Sequence, residues 1–275
     1  MFTSNVTGTD PEAQSLGTND NSSRTGRLII NADDWGRDRK TTGCTLDCVR
    51  RGKVSSVSAM VFMEDSERAA AIARDHGIDT GLHLNFTSSL SGLGVPSQLV
   101  EHQKRVAQYL LRHRFSQIIF HPGLSRSFEY VVAAQRDEFI RLYGQEPERL
   151  DGHHHMHLCA NVLFGGLLPP ETIVRRNFSF EPGEKSFGNR LYRQVIDHSL
   201  NRRHRLTDFF FSIQPLTPPD RLQRIVHLSR QSVVEVETHP LDPAEYKFLT
   251  GDGIDTLVGD CMVASRYDIC RRKPA

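Results

Sequence analysis

Apolar and polar positions along this chain switch repeatedly between a two-residue and a helical period. Residues 27–33 (RLIINAD) make an apolar run that ends in acid, which predicts a buried strand. Residues 38–52 follow helical spacing. Residues 54–62 (VSSVSAMVF) are strand-like, and residues 66–77 predict a helix closed by Gly77. A strand at 80–86 (TGLHLNF), a helix at about 98–113, a short strand at 116–122 (SQIIFHP) and a helix at 126–143 follow. Extended segments at 149–155 and 172–178 precede a helix over 185–203. A strand at 208–213 leads to a helix with prolines near its start. Residues 232–240 (SVVEVETHP) give the last clear strand, and 253–272 a last helix. Strand alternating with helix predicts parallel βαβ units. Seven or eight such units in 275 residues suit an α/β barrel better than an open sheet.

Residues 1–25 are rich in Ser, Thr, Asn, Asp and Gly. They cannot bury enough apolar surface to offset their ordering entropy, so a disordered tail is expected before one domain over 26–275. No stretch approaches the ~18 apolar residues that would span a bilayer, and no signal peptide is visible. The formal net charge of +1 gives no sign of nucleic acid or of an acidic membrane surface as partner. The five cysteines, Cys44, Cys48, Cys159, Cys261 and Cys270, are odd in number and form no CxxC pair. Packed thiols in a reducing cytoplasm are expected rather than a disulfide framework or a zinc knuckle.

Several strands end in unusual chemistry. The first ends in Asp33 and Asp34, and the third carries His83. LDGHHHMHL brings Asp151, His153, His154, His155 and His157, and VEVETHP brings Glu235, Glu237 and His239. These groups lie far apart in sequence yet share one address, the C-terminal ends of parallel strands, where catalytic groups gather in barrels and open sheets. Two imidazoles and a carboxylate suit a divalent metal with positions left for water and substrate. Such an ion would also relieve the repulsion between Asp33 and Asp34, leaving one of them free as a base. If the strand continues through them, the two aspartates point to opposite sides. By the same alternation Asp151, His153 and His155 share a face, so periodicity leaves His153 and His155 open as alternatives. Asp151 is placed to fix an imidazole tautomer.

LIINADDWG, GLHLNFT and LDGHHHMHL, in this order, resemble the three signature stretches of the YdjC-like carbohydrate deacetylases, which include chitooligosaccharide deacetylases. The likeness runs from about Arg27 to the C-terminus. It implies a distorted (β/α) TIM-like barrel, one divalent ion (magnesium or zinc) and hydrolysis of an N-acetyl group on a sugar or glycoconjugate. Carried over by motif, Asp34, His83 and His153 are the metal ligands, Asp33 the catalytic base and His239 the general acid. Asp151, His155 and Arg175 are expected to support the site or touch substrate.

Trp35 stands where the family usually has Phe, and the segment after Thr87 is short and Gly/Ser-rich, which leaves the particular sugar open. The Arg- and aromatic-rich stretch from Arg175 to Gln194 reads equally as a substrate wall or as a solvated basic helix. Rival readings are a glycosidase with paired carboxylates, a metal- or sugar-binding barrel without turnover, and a non-haem iron oxygenase. The absence of HExxH excludes the zincin route. Dimerisation is common at this size, but no interface is legible in the pattern.

Overall fold

The computed structural model describes residues 26–180, 184–259, 263, 264 and 267. Seven strands alternate with helices: β1 (Arg27–Trp35), α1 (Arg39–Arg50), β2 (Ser56–Ala59), α2 (Ser66–His76), β3 (Asp79–Leu84), α3 (Ser97–Arg112), α4 (Ser125–Tyr143), β4 (Arg149–Gly152), α5 (Ala160–Phe164), β5 (Ile173–Val174), α6 (Phe187–Leu200), β6 (Phe209–Ser212), α7 (Asp220–Ser229), β7 (Val233–Thr238), α8 (Pro243–Thr250) and α9 (Asp252–Val258). All neighbouring strands are parallel, in the order β5-β4-β3-β2-β1-β7-β6. The sheet curls into a distorted half-barrel. Its two edges approach where Ile173 bridges Arg205 and the Ser179 N–H donates to the Phe210 carbonyl.

The two faces of this sheet have opposite chemistry. On β1, Leu28, Ile30 and Ala32 join the main core, as do Val234 and Val236 on β7. That core lies between the sheet and helices such as α3 and α4, which contribute Leu99, Val106, Phe128 and Phe139. The alternate residues Asn31, Asp33, Glu235 and Glu237 are equally buried but face the concave side. Apolar side chains there are a small plug of Ile29, Ile173 and Tyr267, and Phe210, which pairs with Glu235 and packs against Arg175. The concave face is otherwise a polar network. Asn31 Nδ2 donates to Asp33 Oδ1 and to Ser58 Oγ, both at 2.8 Å, and Arg149 Nη1 donates to Ser58 Oγ at 2.9 Å.

Local signals account for most helix ends. Asp38 caps α1 by accepting from the Thr41 N–H, Gly77 closes α2 with φ 62°, and Asp242 caps α8 with Pro243 in its first turn. Two expectations fail, and one helix goes unforeseen. Residues 116–122 form 3₁₀ turns at Ser116–Ile118 and Pro122–Leu124, not a strand. The last helix stops at Val258, and Val263 pairs instead with Leu28 at the foot of β1. Helix α8, shorter than a typical amphipathic helix, has too little periodicity to be legible in sequence. The expected tail lies outside the described residues. No helix among the described residues is long and apolar enough to cross a membrane.

Candidate active site at the strand C-termini

The register of the sheet assembles the site. β1 and β7 pair Asn31 with Glu237 and Ala32 with Thr238, and β3 and β4 pair His83 with Asp151. Arg175 follows directly after β5, and all these groups lie at the same end of the sheet.

Asp34 breaks the alternation of β1 at an irregularity in its register with β2, between Ala32 and Trp35. Its backbone is left-handed, with φ 65°, a conformation that costs a non-glycine residue roughly 1–3 kcal/mol. This turn overturns the expectation that the two aspartates face opposite sides. Asp34 Oδ1 lies 3.5 Å and Asp33 Oδ2 3.9 Å from the same atom, His83 Nε2. The histidine run departs from extension too. The strand ends at Gly152, and His153–Leu158 coils tightly with left-handed φ at His154 (55°) and His155 (57°). Alternation therefore does not decide where these rings go. His153 Nδ1 comes to 3.0 Å from Asp34 Oδ1, whereas His155 Nε2 sits 3.5 Å from Glu237 Oε2. His154 contacts Thr87 Oγ1 through Nδ1.

Asp34, His83 and His153 thus offer one oxygen and two nitrogens, all buried and all within 4.8 Å of one another. Asp34 Oδ2 accepts from Arg37 Nη1 at 3.0 Å. Oδ1 is buried without a geometrically formed hydrogen bond, with His153 Nδ1 3.0 Å and His83 Nε2 3.5 Å away. His83 Nδ1 lies 2.7 Å from Asp151 Oδ1, which holds the proton on Nδ1 and turns Nε2 toward the other two groups, where an ion would take the place of the Nε2 proton. An orphaned buried oxygen beside two imidazole nitrogens fits a divalent cation. The electrostatics agree. Burial works against charge at His83, but Asp33 and Asp151 outweigh it and raise its pKa to about 10. Burial likewise opposes the charge of Asp34, yet His153 and His83 hold its carboxyl well below the usual range.

Asp33 has a different partner. Arg175 Nη1 and Nη2 donate to its two oxygens, both at 2.7 Å. The same guanidinium reaches Glu235 through Nε at 2.7 Å, Asp151 at 3.1 Å and Glu237 at 3.2 Å. Arg175 is almost wholly buried among these four carboxyls. Despite burial, Arg175 and then His83 hold Asp33 below its ordinary pKa.

Glu237 received no role in the sequence reading, although the alternation of VEVET already set it opposite the valines. Together with Asp33 and His239 it forms a second convergent cluster. His239 is partly exposed, with Nε2 4.0 Å from Glu237 Oε1, and its N–H is anchored by Glu245 Oε2 at 2.6 Å. Burial, and next the charge of Asp33, push Glu237 well above the usual carboxylate range, against Arg175. A carboxyl with a raised folded pKa stabilises the fold fully below its unfolded pKa, and that contribution is lost as pH rises through the folded value. In chelator-treated protein, Glu237→Gln should gain Tm relative to wild type as pH rises from about 4.5 to about 8. A Tm difference independent of pH would mean that Glu237 ionises normally.

A family model described as YdjC-like protein matches residues 27–250, which contain every residue of both clusters. The chain belongs to the YdjC-like family. A chitooligosaccharide deacetylase of Serratia marcescens is 32% identical over 140 residues, 49% of this chain and 52% of that protein. The match thus spans about half of that relative's length. A chitooligosaccharide deacetylase of Yersinia pestis (strain Pestoides F) is 26% identical over 221 residues, 78% of this chain and 81% of the other. Among solved structures, a protein of Enterococcus faecalis V583 to which cellobiose-phosphate cleavage is attributed has a TM-score of 0.56 at 18% identity. That match covers 86% of this YdjC-like chain and 92% of the other, a likeness of fold.

Proposed function

We propose that this YdjC-like protein is a metal-dependent hydrolase that removes N-acetyl groups from a carbohydrate, giving acetate and an amino sugar. The unpartnered Asp34 oxygen facing His83 and His153, directly beside Asp33, carries this reading. The names of the two deacetylase relatives support it. Asp34, His83 and His153 would hold one divalent ion, magnesium or zinc. Such an ion supplies Lewis acidity to a carbonyl oxygen and lowers the pKa of a water.

The chain's own groups divide the proton work. Oδ1 of Asp33 is occupied by Asn31 and Arg175, and Oδ2 by one Arg175 nitrogen, so Oδ2 keeps a lone pair facing His83. Asp33 would accept the proton of the attacking water at Oδ2, with Arg175 fixing its orientation. An amine leaves poorly as an anion, so an acid is needed. His239 is the proposed acid, since it lies at the partly exposed edge within reach of Glu237. A glycosidase loses support because Asp33 and Asp34 serve one histidine nitrogen rather than two sides of a bond. A cytoplasmic location is proposed on the free thiols of Cys44, Cys48 and Cys159.

Asp33→Asn is expected to lower kcat by about 10²–10⁴-fold on an acetylated oligosaccharide while metal content stays unchanged. Acetate release and metal analysis on the same preparation check this. Unchanged turnover would remove Asp33 from the chemistry, and release of reducing ends without acetate would favour the glycosidase.

A further inference from the structure

Large apolar side chains on this protein's surface are not scattered. Ten of the twelve exposed ones among the described residues lie within residues 111–120, at Phe164 or on helix α6. Phe187, Leu191 and Val195 recur every fourth residue and form one stripe along α6. Phe187 is 79% and Phe164 76% exposed, values that leave each ring almost wholly in water.

These pieces form one face. Asn161 of α5 exchanges two hydrogen bonds of 2.9 Å with the His121 backbone, and the Phe120 and Phe164 rings lie 6.4 Å apart. On the other side of α5, Leu163 and Phe164 line a groove whose far wall is Ile196, Leu200 and Arg203. Phe180 links the face to the candidate site. Its ring lies 5.0 Å from the Arg193 guanidinium and 6.3 Å from Phe178, which packs on His155.

The face itself carries Arg112, Arg114, Arg190 and Arg193 against Asp197, and the longer stretches around it, between Glu101 and Glu129 and after Glu184, are basic too. Residues 102–128 hold five Lys or Arg and no acid, and residues 185–205 hold six against one aspartate. Together they carry a formal +10, so the remainder of this +1 chain carries −9. Asp197, the one acid, is already held by Arg176 and Asn177. None of Arg112, Arg114, Arg126, Arg190 and Arg202 forms an ion pair with a described carboxylate.

The occupant has to accept apolar side chains and cations at once. A second copy placed symmetrically would set one basic face against another. A nucleic acid would match the charge but leave Leu191, Val195 and Ile119 against phosphates. An anionic bilayer takes both, with the apolar stripe at the acyl boundary and the cations among headgroups. We infer that the face formed by residues 111–120, Phe164 and helix α6 docks on an anionic lipid bilayer surface. The whole-chain charge conceals this because the acidic remainder cancels it. This inference is independent of the proposed hydrolysis.

The test is co-sedimentation of the full chain with phosphatidylcholine vesicles, with and without phosphatidylglycerol, at low and high salt. Binding is expected to the anionic vesicles alone and to weaken with salt. The Phe187→Ser/Leu191→Ser and the Arg112→Glu/Arg114→Glu variants should each reduce binding by about tenfold or more. All four side chains are exposed enough to leave folding and acetate release from a soluble sugar unchanged. No sedimentation with anionic vesicles at low salt overturns the inference. So does loss of binding in the charge variant but not in the apolar one, which marks a polyanion site. Light scattering that shows a dimer broken by Phe187→Ser/Leu191→Ser would assign the face to a second copy and overturn it too.

Discussion

Arg175→Ala is expected to destabilise the fold by about 3–5 kcal/mol, a large part of the roughly 5–15 kcal/mol that holds a domain together. Removing one member of a buried charge cluster leaves its partners uncompensated. Here those partners are four carboxyls from three strands: Asp33 on β1, Asp151 on β4, and Glu235 and Glu237 on β7. Arg175 also lies over Phe210, its guanidinium 4.9 Å from the ring centre. Arg175→Lys keeps the charge but loses the fork that donates to both Asp33 oxygens, so it should recover only part of the stability. Urea unfolding of both variants measures this. A loss under about 1 kcal/mol for Arg175→Ala would show that the cluster is well hydrated or neutralised by protons.

The second large effect is on the ion. Protein purified without a histidine tag should hold about one divalent ion per chain, and Asp34→Ala, His83→Ala and His153→Ala should each lose it. Deacetylation should fall about a thousandfold or more with it, because several kcal/mol of transition-state stabilisation depart with the ion. The three substitutions differ in what they leave behind. Asp34→Ala frees Arg37, which is partly exposed and can turn to water. His83→Ala strands Asp151, whose remaining partners are Ser58, Arg149 and Arg175. Circular dichroism on each variant separates ion loss from unfolding. Full metal binding by all three folded variants would end the assignment of this site.

Trp35 shows how far the motif positions could be read from the chain. It lies within the matched family stretch, is completely buried, and donates to the Ala69 carbonyl at 3.2 Å. A larger aromatic ring at that position is thus accommodated in the core and does not reach the site. Arg175 was expected at the site, but the basic stretch alone gives no physical reason to prefer it to Arg176 beside it. Arg176 pairs with Asp197, half-way to the surface, while Arg175 enters the concave face. Adjacent residues leaving a two-residue strand face opposite ways, and which of them faces inward depends on register with β4.

The sequence by itself determined the parallel α/β architecture and the end of the sheet at which the candidate site residues gather. Strand alternation sorts valines from glutamates on β7, and helix caps such as Asp38 and Gly77 act through contacts a few residues away. Only the tertiary structure decided which polar groups meet. The left-handed turns at Asp34, His154 and His155 break the alternation on which any sequence argument about facing depends. Asp33 and Arg175 are 142 residues apart and meet because β4 and β5 lie on one side of β3 and β1 lies across the curled sheet. The polarised basic face arises likewise from segments about sixty residues apart that α5 brings together, and a whole-chain sum of charges averages it away.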